Sequence, residues 1–578
     1  MGPVAPENPE KVRAFFYIMR QKEIFGTAQE DGTGIQYIYE SDGRLINSAQ
    51  IAGNVTDWKQ LRLLENVEGF RQLVHSIGVT VETDMPSEEI TFLFQMYGKK
   101  DLYGGGTNLI TKVSGDGMER RIYLSDYTWT EDDDIPGQIK FLFPTAGRIG
   151  KASVRFYLQD GYEAAVMEQE QPVAENTKEY HDMIERSLMQ EGNTGRLQHA
   201  ISRAREGKNV TLAYIGGSIT QGAGATPVNT ECYAYKSYQL FQKTFAQKEN
   251  VKFIKAGVGG TPSELGMIRF DRDVLRQGER PDIVVIEFAV NDEGDETQGD
   301  CYESLVRKVL KLSWKPAVIL LFSVFADDWN LQERLKAVGQ QYDLPMVSIR
   351  DAVTPQFTLA NGRGRVLTKN QFFYDMFHPN NMGHTIMAQC LHNLFLQCDR
   401  IEEQEKMMSP EKERQQEKAL QKKLQGAPVI GNHYEKVRLM DRKDIPAGAV
   451  IEEGGFTAID RELQCVEMDS SLEMTPQFPY NWMYDGKSRN QAFFELRLTC
   501  RALILIYKDS GEVSVGKAKV LVDGEECLLA DPHRNNWLHC NAVIVLQHKE
   551  SKEHIVRVEI AEEDRDKSFT ILGFGYVL

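Results

Sequence analysis

The chain has 578 residues, too many for a single core, and its 41% hydrophobic and 26% charged residues are the balance of a globular protein. A formal charge of −17 argues against a nucleic-acid groove, which needs cationic density to displace counterions, and against an anionic membrane surface for the same reason. Eight cysteines lie scattered without a CxxC pair, so neither a zinc framework nor a dense disulfide scaffold is expected, and reduced thiols are.

The opening "MGPVAPENPEKVRAFF" has no basic segment leading into an apolar stretch, and no apolar run approaches membrane-spanning length. A cytoplasmic location is the corresponding expectation. In residues 1–170, short runs such as "ITFLFQMYG", "GQIKFLFPTAG" and "ASVRFYLQDG", bounded by Gly, Asp and Pro, predict an accessory β-sandwich. Residues 171–400 change texture. "NVTLAYIGG", "VKFIKAGVGG", "DIVVIEFAVND" and "AVILLFSVF" are continuous apolar strands, and amphipathic stretches such as "YAYKSYQLFQKTFAQ" lie between them. That alternation predicts βαβ units around a parallel sheet buried on both faces. Residues 401–426, dense in Glu, Lys and Gln, predict a charged helical linker. Residues 427–578 return to strand texture and predict a second sandwich that closes the chain.

In an open α/β sheet, ligands collect beyond the carboxyl ends of the strands. Ser218 follows the first central apolar run, Gly259 and Gly260 follow the second, and Asn291 and Asp292 follow the third; Asp375 and His378 lie in "YDMFHPNNMGH". Singly, each has a plain structural reading: a strand-to-helix turn, a βα turn, a helix cap, a loop at a helix entrance. His384 is read as structural. Together they supply a hydroxyl nucleophile in Ser218, a base in His378 and an orienting carboxylate in Asp375. The backbone N–H groups of Ser218 and Gly260 and the amide of Asn291 supply donors for an oxyanion. A phosphate loop is excluded because "IGGSITQG" lacks the lysine, and a dinucleotide fingerprint because Pro262 stands where a small residue is needed. Ile219 and Thr220 after the serine exclude the G-x-S-x-G elbow.

Ser218, Gly260, Asn291 and His378 resemble the four namesake positions of the SGNH (GDSL-like) hydrolases, and Asp375 falls on that family's Asp-x-x-His pattern. The resemblance covers roughly 205–395. It implies a flavodoxin-like three-layer α/β/α core flanked by N-terminal and C-terminal β-sandwich (jelly-roll-like) domains. It also implies no cofactor, no metal, and ester hydrolysis through an acyl-serine. Two departures stand out: Gly217 precedes the serine where many members have Asp, and Ala289 leads the third block where Gly is usual. The first is similar to a branch acting on acetylated carbohydrate.

The domain plan resembles multidomain carbohydrate acetylesterases, which makes an acetylated oligosaccharide from mannan or xylan the expected substrate. No nucleic-acid or membrane partner is expected, and a homo-oligomer is left open. Sugars dock on aromatic faces, so "QFPYNWMYDGKSRN" and "DPHRNNWLHC" in the C-terminal region offer Trp482, Tyr484, His533 and Trp537 as substrate contacts. Two alternatives remain: a lipid or thioester acylhydrolase (lysophospholipase or thioesterase), and a glycan-binding protein without activity.

Overall fold

The computed structural model describes residues 12–167, 169–360, 362–404, 410–488 and 491–578. Residues 1–11 of the N-terminal region and 405–409 of the 401–426 segment therefore lie outside the described residues.

The N-terminal region has two antiparallel sheets, a four-stranded one containing Phe15–Phe25, Ile149–Leu158, Val74–Thr83 and Arg120–Tyr123, and a five-stranded one containing Gly34–Tyr39, Asp133–Phe143 and Glu89–Gly98. Alternating side chains such as Val79, Val81, Phe92, Phe94, Phe141 and Phe156 meet in one cluster between the sheets, the packing that period-2 strands require.

The middle region is built on a sheet whose five parallel strands run, in space, Met346–Ser348, Ala317–Phe322, Ile283–Glu287, Val210–Gly216, Val251–Gly257; Leu188–Gln190 joins one edge antiparallel. Numbered along the chain, the parallel strands stand in the order 5-4-3-1-2, the flavodoxin-like arrangement, with its switch point between Val210–Gly216 and Ile283–Glu287. Both faces are covered, which is why these strands read as continuous apolar runs. Leu212 and Tyr214 pack into a cluster with Ala234 and Phe241 of helix Tyr233–Phe245 and with Leu391 and Leu394 of helix Asn381–Gln404. Ala213 and Ile215 pack into another with Leu265 and Ile268 of helix Ser263–Phe270 and with Leu305 and Val309 of helix Asp300–Leu310.

The second cluster does not stop at the helices. It continues into the C-terminal region through Leu463, Phe478, Ala502, Ile504, Ile506 and Cys540. Eight strands of that region form one hydrogen-bonded sheet, in which Phe493–Asp509 and His539–Ile560 pair over most of their length, and Cys465–Glu467 and Met474–Pro476 pair in a separate two-stranded sheet. The register shift at Cys500/Ala502 changes the parity of Phe493–Asp509. Phe494, Leu496 and Leu498 before that shift therefore share an inner cluster with Leu503, Leu505 and Tyr507 after it, and Ala502, Ile504 and Ile506 are turned toward the middle region. Helix Pro410–Gln425 buries Leu420 and Leu424 in the same interface, and its Glu417 accepts hydrogen bonds from Nε and Nη2 of Arg196.

Among the described residues no helix is long and apolar enough to cross a membrane. All eight cysteines are free.

Candidate active site

The strand Val210–Gly216 ends in two glycines before the short helix Ser218–Gln221, and both are forced by contact. A Cβ on Gly216 would lie 2.2 Å from Thr220 Oγ1 and 2.4 Å from the Glu287 carbonyl; one on Gly217 would lie 2.2 Å from Asn291 Oδ1. The Asn291 amide occupies the space an aspartate side chain would enter, a physical reason for Gly217 where the resemblance leads one to expect Asp. Arg269, fully buried, ties the ends of two strands together by donating to the carbonyls of Gly216 and Ala256, both at 2.7 Å.

Ser218 is thereby presented at the switch point, and the loop before helix Asn381–Gln404 brings His378 to it. His378 Nε2 lies 3.0 Å from Ser218 Oγ, and His378 Nδ1 lies 2.9 Å from Asp375 Oδ2. Asp375 also accepts the backbone N–H groups of Phe377 and His378, each at 2.8 Å. Burial pushes its pKa up, but the His378 ring and these N–H donors outweigh it and hold the carboxyl below its ordinary value. The N-terminal region braces this loop: the Lys22 ammonium, buried and lowered by desolvation to about 8, donates to the carbonyls of Asn370 and Phe373.

Two further segments border the serine: the Asn291 amide abuts Gly217, and a Cβ on Gly259 would lie 3.8 Å from Ser218 Cβ. Gly260 adopts φ +69°, a conformation open to glycine, and follows the strand Val251–Gly257. Among the described residues no acceptor is paired with the N–H of Ser218, the N–H of Gly260 or Nδ2 of Asn291. Donors without internal partners next to a hydrogen-bonded Ser–His–Asp set can receive the negative charge that develops when a carbonyl carbon is attacked.

His384 does sit apart from this chemistry. Its Nδ1 accepts the Tyr233 N–H and its Nε2–H donates to the Ala223 carbonyl; burial lowers its pKa to about 3, so it is a neutral strut under the loop after the serine. Glu287, buried at the end of its strand and raised by desolvation to about 7, accepts the Thr220 hydroxyl two residues beyond Ser218.

The aromatic residues singled out in the sequence divide. Trp482 and Tyr484 are not loop residues. They form the strand Trp482–Tyr484, are fully buried, and spend their polar atoms inside, Trp482 Nε1 on Glu453 and the Tyr484 hydroxyl on the Arg565 carbonyl. Flanking the half-buried Met483, both rings lie on the inward face of the strand, and they are core rather than sugar platforms. Both ring nitrogens of His533 lie within 2.9 Å of the carbonyls of Ser510 and Val515, so this side chain braces its own loop. Trp537 is different: 44% exposed, it stacks on His539 at 4.5 Å and covers Gly260.

Other neighbours carried no signal of their own in the sequence. His539, buried and lowered by desolvation to about 4, backs Trp537. On the His378 side, Phe377 packs edge-on against Phe325, which stacks on Trp329, and the Arg44 guanidinium of the N-terminal region lies 5.4 Å from the Phe377 ring. Gln464 reaches the Gly259 carbonyl from the C-terminal region. These residues meet only through interdomain packing, which no local pattern encodes.

Residues 214–386 match the GDSL-like Lipase/Acylhydrolase family. The chain is similar to a two-domain esterase active on acetylated mannans, co-crystallised with mannopentaose, at 27% identity over 68% of this chain and 97% of that chain, with a TM-score of 0.54. A second crystal structure of a two-domain esterase active on acetylated mannans matches at 27% identity over the same shares of the two chains, with a TM-score of 0.53. None of the curated proteins matches the chain.

Proposed function

Taking this chain as a carboxylic ester hydrolase with a GDSL-like middle region, we propose that it removes O-acetyl groups from carbohydrate, acting on mannan- or xylan-derived oligosaccharides. In this reading Ser218 Oγ attacks the acetyl carbonyl carbon while His378 Nε2 takes its proton, and Asp375 holds the ring and its charge. The oxyanion receives the N–H groups of Ser218 and Gly260 and the Asn291 amide. His378 then returns the proton to the departing sugar oxygen, leaving acetyl-Ser218. Water, deprotonated by the same nitrogen, attacks the acyl carbon and releases acetate and the free serine.

The observation that carries the carbohydrate assignment is Trp537, an exposed aromatic face set directly over the oxyanion loop at Gly260. Aromatic faces receive the apolar C–H faces of sugar rings. Phe377, Phe325 and Trp329 beside His378, with Arg44 from the N-terminal region, suit a ligand longer than one sugar. The similarity to an esterase active on acetylated mannans makes mannan the first substrate to try. We further propose that both flanking β regions are walls of the cleft.

Acetate release from acetylated mannan and xylan oligosaccharides, wild type against Ser218→Ala, tests this reading. Release by the wild type that is lost in the variant is the expected result. A wild type that leaves both glycans acetylated yet cleaves a small synthetic acetate ester in a Ser218-dependent way would overturn the carbohydrate assignment and direct attention to longer acyl esters and thioesters.

A further inference from the structure

We propose that Gln464, a residue of the C-terminal β region, is a positioning residue of the oxyanion hole. The inference rests on Gly260 donating to the oxyanion and not on which ester is the substrate.

The argument begins with the peptide between Gly259 and Gly260. Its C=O belongs to Gly259 and its N–H to Gly260, and in a planar trans peptide the two point in opposite directions. Fixing the carbonyl therefore aims the N–H. With glycine on both sides no side chain restrains that peptide, and rotation of the unit is inexpensive. The restraint comes from elsewhere. Gln464 Nε2 donates to the Gly259 carbonyl at 2.8 Å. Gln464 is itself held: it is 8% exposed, and its Oε1 accepts the Cys540 N–H at 3.2 Å.

The preceding peptide is gripped from the other side. The Gly259 N–H donates to Gln221 Oε1 at 3.0 Å, and Gln221 Nε2 donates at 2.8 Å to Glu467, three residues beyond Gln464. Trp537 and His539 close the remaining space against Gly260. All three oxyanion donors belong to the middle region, yet the direction of one is set by a side chain of the C-terminal region. That region is thus part of the catalytic apparatus even for an ester too small to touch it.

Gln464→Glu is the informative variant. It keeps the shape and the acceptor for Cys540, removes the Nε2 donor, and sets a carboxylate oxygen against the Gly259 carbonyl. With a small synthetic acetate ester, kcat is expected to fall about 10- to 100-fold, since losing an oxyanion donor outright costs about 100- to 1,000-fold and a misplaced donor costs less. KM should change less than about twofold, because the donor acts on the oxyanion and not on the ground-state ester. Affinity for a phenylboronic acid, whose adduct with Ser218 is a tetrahedral anion, should fall by the same factor as kcat.

A Gln464→Glu enzyme with wild-type kcat and wild-type boronate affinity overturns the proposal, as does one whose only change is a lower unfolding temperature. If the glutamate variant does not fold, Gln464→Met, of similar length and without a donor, is read in the same way. Gly260→Ala measured alongside separates the causes: if it too keeps full kcat, the fault lies with the oxyanion role of Gly260 rather than with Gln464.

Discussion

Trp537 lies so close to Gly260 that a β-carbon on the glycine would stand 2.8 Å from its Cζ2, and the glycine's φ of +69° disfavours any side chain. Two independent constraints thus fall on one residue of the loop after Val251–Gly257. Gly260→Ala is expected to lower kcat on a small acetate ester about 100-fold. The double variant Gly260→Ala/Trp537→Ala removes the clash and leaves the backbone strain of about 1–3 kcal/mol, so it should recover part of the rate and no more. Full recovery would show that crowding alone held the glycine in place.

Asp375 shows a carboxylate kept charged in a site that would otherwise neutralise it. Burial opposes the charge, and the His378 ring with two backbone N–H groups restores it. Asp375→Asn keeps the size of the side chain but loses the charge that stabilises the imidazolium and fixes the tautomer. A loss of about 10,000-fold in kcat with little change in KM is expected. A loss below tenfold would mean that His378 is oriented by the loop alone.

Ser218, Gly260 and Asn291 were legible in the sequence because each follows an apolar strand, where topology alone sends side chains to one edge. Asp375 and His378 instead lie in the loop before helix Asn381–Gln404 and were collected by their chemistry. Ser218, Gly260, Asn291 and His378 needed no tertiary information to be collected. Trp482 and Tyr484 were misread because a three-residue strand between turns looks like a loop, and burial of both rings by the curled sheet has no local mark. The path of Phe493–Asp509 was equally hidden: "ALILIY" is apolar throughout because both faces of the strand are covered there, with Ala502, Ile504 and Ile506 in one core and Leu503, Leu505 and Tyr507 in the other. Gln464 and Arg44 are ordinary polar residues until domains pack.

His384 carries a prediction about pH. The ring is neutral in the folded chain down to about pH 3, whereas an unfolded histidine takes a proton near 6.5. Between those values the unfolded state binds the extra proton, so the contribution of His384 is complete above pH 6.5 and is lost as pH falls, by up to about 1.4 kcal/mol per unit. His384→Gln can still accept from Tyr233 and donate to Ala223 but does not titrate. Urea unfolding from pH 7 to pH 4 should therefore show the wild type losing stability more steeply than the variant by about one proton. Parallel curves would mean that the folded ring is protonated in that range.

Trp537 and Trp482 belong to the same β region and test opposite roles for an aromatic side chain. Trp537 is exposed over Gly260, whereas Trp482 is sealed among Phe494 and Phe574 with its indole N–H on Glu453. Trp537→Ala removes a stacking face worth about 1 kcal/mol, so KM for acetylated oligosaccharides should rise about fivefold. kcat/KM for a small acetate ester, which has no sugar ring to stack, should move less. Trp482→Ala opens a cavity in the core and should cost about 3–5 kcal/mol of stability. Protein that remains folded in that variant should keep its KM for the glycan, because nothing connects the buried indole to the cleft. If the two effects were exchanged, with KM following Trp482 and stability following Trp537, the carbohydrate surface would have to be sought on the inner face of the sheet. If neither variant altered KM, the C-terminal region would keep only its hold on the oxyanion loop, and sugar recognition would fall to Phe377, Trp329 and Arg44 on the other wall.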